Sequence, residues 1–313
     1  MKVLVAGATG GLGRSLVPKL IAAGHEVTGM IRSVSGAAGV RAQGAQVVLA
    51  DGLDAAAVKA AVGSVQPEVV VHQMTALKSG IDFRKFDESF ALTNRLRTEG
   101  TDNLLAASHA AGVRRIIVQS YGGWNLQRSG SPTKTESDPL DADPVAATSQ
   151  TMAGIRHLEA AVTGDQALEG LVLRYANFYG PTGALGKGGE LVELIRRRRL
   201  PLIGDGSGVW SFIHYDDAAD ATVRAVTTGD PGIYQIADDD PASAAVWLPE
   251  LARILGAKPP RHLPVWLAKL AAGEAAVSAF TQIRGADNSL AKDAFGWQPG
   301  YASWRQGFRH GLG

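Results

Sequence analysis

The chain has 313 residues, 45% of them hydrophobic, and its 31 basic and 30 acidic residues give a formal net charge of +1. This composition is sufficient for a full core, and the charge balance offers no footprint for nucleic acid. The chain contains no cysteine, which excludes disulfides, thiolate catalysis and cysteine-ligated metals. No apolar run approaches the roughly 20 residues of a membrane span, and the amino terminus does not resemble a secretion signal. We therefore expect a cytoplasmic protein with no membrane or nucleic-acid partner.

Short blocks of valine, isoleucine and leucine alternate with helical stretches across the first half of the chain. Glycine, proline, aspartate or histidine bounds each block, and the intervening segments are long enough for crossover helices. Strands that are apolar on both faces predict an α/β fold, a Rossmann-type doubly wound parallel sheet with a smaller C-terminal substrate-binding lobe. The predicted strands are Lys2–Ala6, Glu26–Met30, Gln46–Ala50, Glu68–Gln73, Arg114–Gln119 and Leu168–Arg174.

Beyond Gly180 the alternation loosens into turn-rich segments such as YGPTGALGKGG and GDGSG. Two later segments, VWLPELARILG and VWLAKLAAGEAAV, have the pattern of short amphipathic helices. We predict a dinucleotide-binding Rossmann domain over residues 1–175 and a mainly substrate-binding lobe over 176–313. Segment 205–230 is the part of the lobe that could return to the Rossmann domain, and Ser211–His214 could rejoin the sheet.

A glycine-rich turn joins the first strand to the first helix. Gly7 suits a tight turn, Gly10 allows backbone to approach a pyrophosphate, and Gly13 allows the helix to pack on the strand. The helix N-terminus adds free N–H groups and a positive dipole end. A turn with no ligand is the alternative. The predicted cofactor contacts here are Gly7, Thr9, Gly10, Gly11, Leu12 and Gly13.

The end of the second strand indicates which nicotinamide cofactor is used. An NAD site places an acid there to bind the ribose 2′-hydroxyl, yet no acid occurs between Glu26 and Asp51. Arg32 and Ser33 follow the strand instead, and a guanidinium with a nearby hydroxyl suits a 2′-phosphate. We predict NADP(H) in preference to NAD(H), with an exposed loop arginine as the alternative.

Further motifs give the chain a resemblance to a known family. They are GATGGLG, DGLD after the third strand, VVVHQMTA after the fourth, GTDNLLAAS, LRYANFYGP, GDGSGVWSFIHYDDAADA and FGWQP. The chain is identified as a member of the extended short-chain dehydrogenase/reductase superfamily, the NAD-dependent epimerase/dehydratase group. The resemblance implies a small-molecule substrate and a homodimer. It also implies cofactor contacts at Asp51, Gly52, Gln73, Met74, Thr75 and Tyr175.

The family's reactive pair is missing. Glu159 matches the glutamate that follows the family's Tyr-x-x-x-Lys pair, which places Thr151 and Ile155 at the tyrosine and lysine positions. In the family, the lysine lowers the pKa of the tyrosine that transfers the proton. Because this chain has neither residue there, it resembles an atypical member. Lys78 is the candidate for a displaced lysine, and Arg97 stands where the family has an asparagine.

By the same resemblance, Ser120 and Tyr121 at the end of the fifth strand are the candidate catalytic residues. The candidate substrate contacts are Asn177, Trp210 and Arg284. A loop position for Tyr121 and a core position for Trp210 are the alternatives. The acidic run Asp238–Asp240 lacks metal-ligand spacing, so no metal site is predicted.

These observations predict an NAD(P)(H)-dependent oxidoreductase acting on a small aromatic or alicyclic metabolite. The proton would come from Tyr121, water or the substrate, and an intrinsically activated substrate would make the missing pair unnecessary. Two alternatives remain at this point: a cofactor-retaining isomerase or epimerase without net redox, and a non-catalytic NADP-binding sensor module.

Overall fold

The computed structural model describes residues 1–77 and 82–312. Strands and crossover helices alternate through the first two thirds of this part, and shorter elements follow. The strands are β1 Lys2–Ala6, β2 Glu26–Ile31, β3 Gln46–Leu49, β4 Val69–His72, β5 Arg115–Tyr121, β6 Thr133–Lys134, β7 Glu169–Tyr175, β8 Asn177–Tyr179, β9 Leu202–Ile203, β10 Val209–Trp210, β11 Phe212–His214, β12 Gly232–Ile236, β13 Ala242–Ser243, β14 His262–Leu263 and β15 Gly285–Ala286.

Helices cover both faces of the sheet and build most of the C-terminal lobe. The α-helices are α1 Gly11–Ala22, α2 Ala37–Ala42, α3 Ala55–Val65, α4 Phe86–Arg97, α5 Glu99–Ala111, α6 Ser149–Thr163, α7 Glu190–Arg196, α8 Tyr215–Ala225, α9 Ala244–Ile254, α10 Val265–Ala272, α11 Glu274–Thr281, α12 Ser289–Phe295 and α13 Trp304–His310. None of the helices in residues 1–77 and 82–312 has the length and apolar character of a membrane span.

The central sheet has seven parallel strands in the order β3-β2-β1-β4-β5-β7-β12. The chain runs from β1 outward in one direction and then from β4 outward in the other. The crevice at the carboxyl ends of β1 and β4 is therefore the position at which such sheets bind ligands. This architecture confirms the predicted doubly wound α/β fold, and each of the six predicted strands is present.

Alternating side chains of β1 show how the sheet is buried on both faces. Val3 and Val5 belong to the core shared with α1 and α8, whereas Leu4 and Ala6 belong to the core beneath α3 and α5. All four are fully buried. Removing two apolar faces from water is what stabilises a parallel sheet of this kind.

The second half of the chain agrees in part with the expected order. Helix α8, within the segment 205–230 that could return to the Rossmann domain, packs on α1. Strand β12, which was not among the predicted strands, pairs with β7 at the edge of the sheet. Strand β11 does not rejoin the central sheet but pairs with β8 in a separate two-stranded sheet.

The lobe has its own aromatic core, in which Phe212, Trp247, Trp304 and Phe308 are fully buried. The segment VWLAKLAAGEAAV forms two helices rather than one. It breaks at Gly273, whose φ of +86° is a conformation that L side chains rarely adopt.

The carboxyl group of Asp238 lies where the lobe meets the sheet domain. It is buried, its Oδ1 accepts a hydrogen bond from the Asp240 N–H, and its N–H donates to the Phe212 carbonyl. Burial raises the pKa of Asp238 to about 8, and the Asp240 carboxylate adds to the rise. Since the folded-state pKa exceeds the unfolded one, this group favours folding most at low pH.

We predict that the wild-type protein loses stability on this account as pH rises from about 4 to about 8. Asp238→Asn keeps the acceptor oxygen and removes the titration. Relative to wild type, the variant should gain on the order of 2 kcal/mol in free energy of unfolding between pH 5 and pH 8.5. Urea unfolding at several pH values measures this, with the exposed Asp293→Asn as control. Parallel pH profiles for Asp238→Asn and wild type would contradict the prediction.

Candidate functional site

Two positions of the glycine-rich turn have no room for a side chain, because neighbouring backbone lies too close. A Cβ on Gly7, whose φ is +93°, would lie 2.6 Å from the Gln73 carbonyl oxygen, and one on Gly13 would lie 2.6 Å from that of Ala8. Helix α1 begins after Gly10 without a side-chain cap. The start of the helix therefore keeps backbone N–H groups without a side-chain partner, and these fit a dinucleotide pyrophosphate.

The loop after β2 lies beside this turn. A Cβ on Gly36 would be 2.5 Å from the Thr9 methyl group, so the loop and the turn are in contact. Arg32 and Ser33 are both exposed there, and the Ser33 hydroxyl lies 2.7 Å from that of Ser35. Both side chains are thus accessible to a ligand held by the turn.

The segments after β3 and β4 complete the same edge. A Cβ on Gly52 would lie 2.5 Å from the Met74 sulfur, which brings the two segments into contact. Asp51 is exposed and accepts the Leu53 N–H, Thr75 is exposed, and the buried Oε1 of Gln73 lacks a protein partner in the described part of the chain. Lys78 lies outside the described residues.

Helix α6 contains the positions at which the family has its reactive pair. Thr151 and Ile155 are both buried. The Thr151 hydroxyl donates to the Asp87 carboxylate at 2.6 Å and accepts from the Asn94 amide at 3.0 Å. Asp87 also accepts the backbone N–H groups of Gln150 and Thr151, which stabilises the helix N-terminus. The Thr151 hydroxyl is therefore committed to structure.

A buried ion pair fixes helix α6 to the sheet. Glu159 accepts two hydrogen bonds from the Arg174 guanidinium, at 2.9 and 2.6 Å, and a third from the Ser120 hydroxyl at 2.6 Å. All three residues are buried. The hydroxyl of Ser120, which the sequence suggests as a catalytic residue, is thus engaged in a hydrogen bond to Glu159.

Tyr121 is the next residue on β5 and meets the segment after β7. Its hydroxyl donates to Asn177 Oδ1 at 2.7 Å, and the Asn177 amide donates to the Ser211 carbonyl at 2.9 Å. Burial raises the pKa of Tyr121 well above its usual range, against smaller opposing effects of Asn177 and the Arg97 charge. The phenol is therefore neutral near pH 7 and a weak proton donor. The structure brings these two predicted residues together.

Three other predicted residues lie away from this group. The Tyr175 hydroxyl is buried against Thr222 at 2.6 Å, so its ring points into the core. Trp210 belongs to the lobe core and donates its indole N–H to the Ala279 carbonyl, so the expected substrate contact is instead a packing residue. Arg284 lines a separate cavity of about 510 Å³, which none of Ser120, Tyr121 and Asn177 lines.

An aromatic stripe beside Tyr121 is absent from the sequence predictions. On α4, the Phe86 and Phe90 rings stack at 4.5 Å, and Trp124 meets Phe86 edge-on at 5.3 Å. The Trp124 ring lies 6.2 Å from that of Tyr121, and the Arg97 guanidinium carbon lies 5.9 Å from the Phe90 centroid. The spacing of residues 86, 90, 94 and 97 along one helix face is the signal that could have identified this stripe.

Replacing one partner of the buried ion pair should be costly. We predict that Glu159→Gln lowers the free energy of unfolding by about 3–5 kcal/mol, because Arg174 keeps its buried charge without a counter-ion. Urea unfolding measures the loss. Glu99→Gln removes an exposed partner of Arg95 and should have little effect. Equal, small effects for both variants would show that the buried pair does not anchor α6.

Comparison with known proteins places these features in one family. The sequence profile of the NAD dependent epimerase/dehydratase family matches residues 3–237. A Streptomyces protein named 3-diazoavenalumate denitrifying reductase is 45% identical over 309 residues, covering 98% of this chain and 99% of that protein. A UDP-glucose 4-epimerase of Mycolicibacterium smegmatis is 30% identical over 72% of this chain and 73% of its own.

Solved structures agree in fold. A human epimerase family protein with NADPH aligns with a TM-score of 0.79 at 20% identity, covering 100% of this chain and 99% of that one. A Thermotoga maritima UDP-glucose 4-epimerase with UDP-glucose aligns with a TM-score of 0.77 at 23% identity, covering 100% and 97%. The relatives named as reductases support an NAD(P)-dependent oxidoreductase. The chain belongs to the NAD-dependent epimerase/dehydratase family.

Proposed function

We propose that this protein is an NADPH-dependent reductase that replaces the diazo group of an aromatic acid by hydrogen and releases dinitrogen. The observation that carries the proposal is the 45% identity, over nearly the whole of both chains, to a relative named for denitrifying reduction of a diazo compound. Thr151 and Ile155, at the family's tyrosine and lysine positions, agree with it.

The residues that would hold the cofactor lie along one edge of the sheet. The turn Gly7–Gly13 would bind the pyrophosphate, Asp51 and Gly52 would lie at the adenine, and Gln73–Thr75 would follow toward the ribose. Arg32 and Ser33 would bind the 2′-phosphate, which favours NADP(H) over NAD(H). The uncapped start of α1 and the close approach of the Gln73 backbone to Gly7 support this placement.

The reaction explains why a proton donor is dispensable. A bound nicotinamide supplies hydride, whose electron pair forms the new C–H bond while the C–N bond breaks and its electrons leave with dinitrogen. Carbonyl reduction, in contrast, leaves an alkoxide that must be protonated. In this reaction the protein has only to orient the substrate against the cofactor, and no residue has to transfer a proton.

Tyr121, Trp124 and Asn177 are the residues proposed to orient the substrate. Aromatic faces attract a positively charged diazonium group, and the raised pKa of Tyr121 keeps its phenol neutral beside it. Asn177 holds the Tyr121 hydroxyl at 2.7 Å and thereby fixes the ring. The half-buried Trp124 is also positioned to limit access of water.

The epimerase alternative is less favoured by the same residues. An epimerase without net redox must take a proton from a hydroxyl and return it. The raised pKa of Tyr121 keeps its phenol protonated near pH 7, so it is not available to accept that proton, and the Thr151 hydroxyl donates its hydrogen bond to Asp87. The described residues at this position therefore offer no group suited to that task.

Turnover of 3-diazoavenalumate tests the proposal. We expect purified protein to convert 3-diazoavenalumate and NADPH into avenalumate, NADP and dinitrogen in equal amounts. Absorbance at 340 nm follows NADPH, and mass spectrometry follows the organic product and the gas.

NADH in place of NADPH is the matched cofactor control, and we expect its KM to be at least about tenfold higher, on the order of 1.4 kcal/mol. Consumption of NADPH without loss of nitrogen would contradict the proposed reaction. Absence of any NADPH-dependent change in 3-diazoavenalumate would contradict it as well.

A further inference from the structure

One face of α4 presents aromatic rings followed by a cation. Phe86, Phe90, Asn94 and Arg97 follow one another at spacings of four, four and three residues, so they share one side of the helix. The stacked pair Phe86–Phe90 and the edge-on Trp124 form an apolar wall. Arg97 lies at the end of this wall, at the last turn of the helix.

The charge of Arg97 has no counter-ion among the described residues. Its Nη1 donates to Asn94 Oδ1 at 3.3 Å, and no carboxylate of residues 1–77 and 82–312 lies within 4 Å of it. The neighbouring Arg95 is fully paired with Glu99, and the buried Arg174 is paired with Glu159. Arg97 is half-buried, so its charge is neither fully hydrated nor neutralised.

Burial also affects the pKa of this group. Desolvation lowers the pKa of Arg97 to about 10, and the negative charge of Glu159 only partly opposes this. The guanidinium remains protonated at neutral pH. A desolvated cation with one long hydrogen bond is a ready partner for an anion, because binding restores the interactions it has lost.

Contacts place Arg97 at the candidate site rather than on a remote surface. Asn94, its hydrogen-bond partner, also donates to Thr151 at the start of α6. The positive charge of Arg97 is close enough to Tyr121 to lower the pKa of its phenol. The Tyr121 ring in turn lies 6.2 Å from the Trp124 ring, measured between centroids. The cation, the aromatic wall and the end of β5 thus border the same region.

We infer that Arg97 binds the carboxylate of the substrate while Tyr121 and Trp124 flank its ring. The inference rests on the proposed function for the reaction, whereas the anion site itself follows from Arg97 and its surroundings. A planar guanidinium suits a carboxylate because it can donate two parallel hydrogen bonds. The name of the Streptomyces relative's substrate also ends as that of a carboxylate.

Arg97→Gln tests the inference when the acid and its neutral amide are compared. We expect kcat/KM for 3-diazoavenalumate to fall about 10- to 100-fold, as for lost hydrogen bonds to a charged group. The kcat/KM for the primary carboxamide of the same compound should change less than about threefold, and the KM for NADPH should stay the same. Arg97→Lys should recover part of the loss, since it restores charge without the bidentate geometry.

Arg95→Gln is the matched control, on the same helix but exposed and paired with Glu99. It should behave as wild type with both substrates. An equal loss on the acid and the amide in Arg97→Gln would overturn the inference, because it indicates a general structural role. A rise in the KM for NADPH with an unchanged acid-to-amide ratio would overturn it in favour of a cofactor contact.

Calorimetric titration with avenalumate in the presence of NADP separates this inference from the proposed reaction. This binding needs no turnover and should weaken about 10- to 100-fold in Arg97→Gln. If wild type binds avenalumate in this Arg97-dependent way but does not reduce the diazo compound, the reaction is wrong and the anion site stands. If turnover occurs and avenalumate binds both proteins equally, the anion site is wrong and the reaction stands.

Discussion

The position of helix α6 is the constraint on which the candidate site depends, and two carboxylates set it. Asp87 accepts the first N–H groups of the helix and the Thr151 hydroxyl, which ties α6 to α4. Glu159 pairs with Arg174 and accepts from Ser120, which ties α6 to β7 and β5. Both attachments use buried or half-buried charge that would be costly to leave unpaired, so the helix has little freedom to shift.

Helix α6 thus keeps the position it needs in the fold but lacks the residues with which the family usually carries out its chemistry. The helix is retained in place, while Thr151 and Ile155 offer neither an acid nor a cation. Tyr121 is poorly suited to replace the acid, because its hydroxyl donates a hydrogen bond to Asn177 and burial raises its pKa. A reaction in which dinitrogen leaves with its own electron pair is compatible with such a site, because it asks the protein for position and charge complementarity only.

The sequence was sufficient to predict those elements whose signal lies within a few neighbouring residues. Short runs of valine, isoleucine and leucine, bounded by glycine, proline, aspartate or histidine, predicted six strands of the sheet. Strand β12 was missed because its short run, GIYQI, lies in the turn-rich second half of the chain, where the alternation of strands and helices loosens. Trp210 could not be assigned because a tryptophan has the same appearance in a core or a pocket, and its partner Ala279 is distant in sequence. Arg97 was noticed only as a missing asparagine, since the lack of a counter-ion depends on tertiary contacts.

The origin of the new hydrogen tests the central claim most directly. The reaction would be run with NADPH deuterated at both C4 positions in ordinary water, and with ordinary NADPH in deuterium oxide. The account predicts one deuterium at the carbon that lost nitrogen in the first experiment and none there in the second. Deuterium from solvent at that carbon would contradict it, because a proton donor would then be part of the reaction.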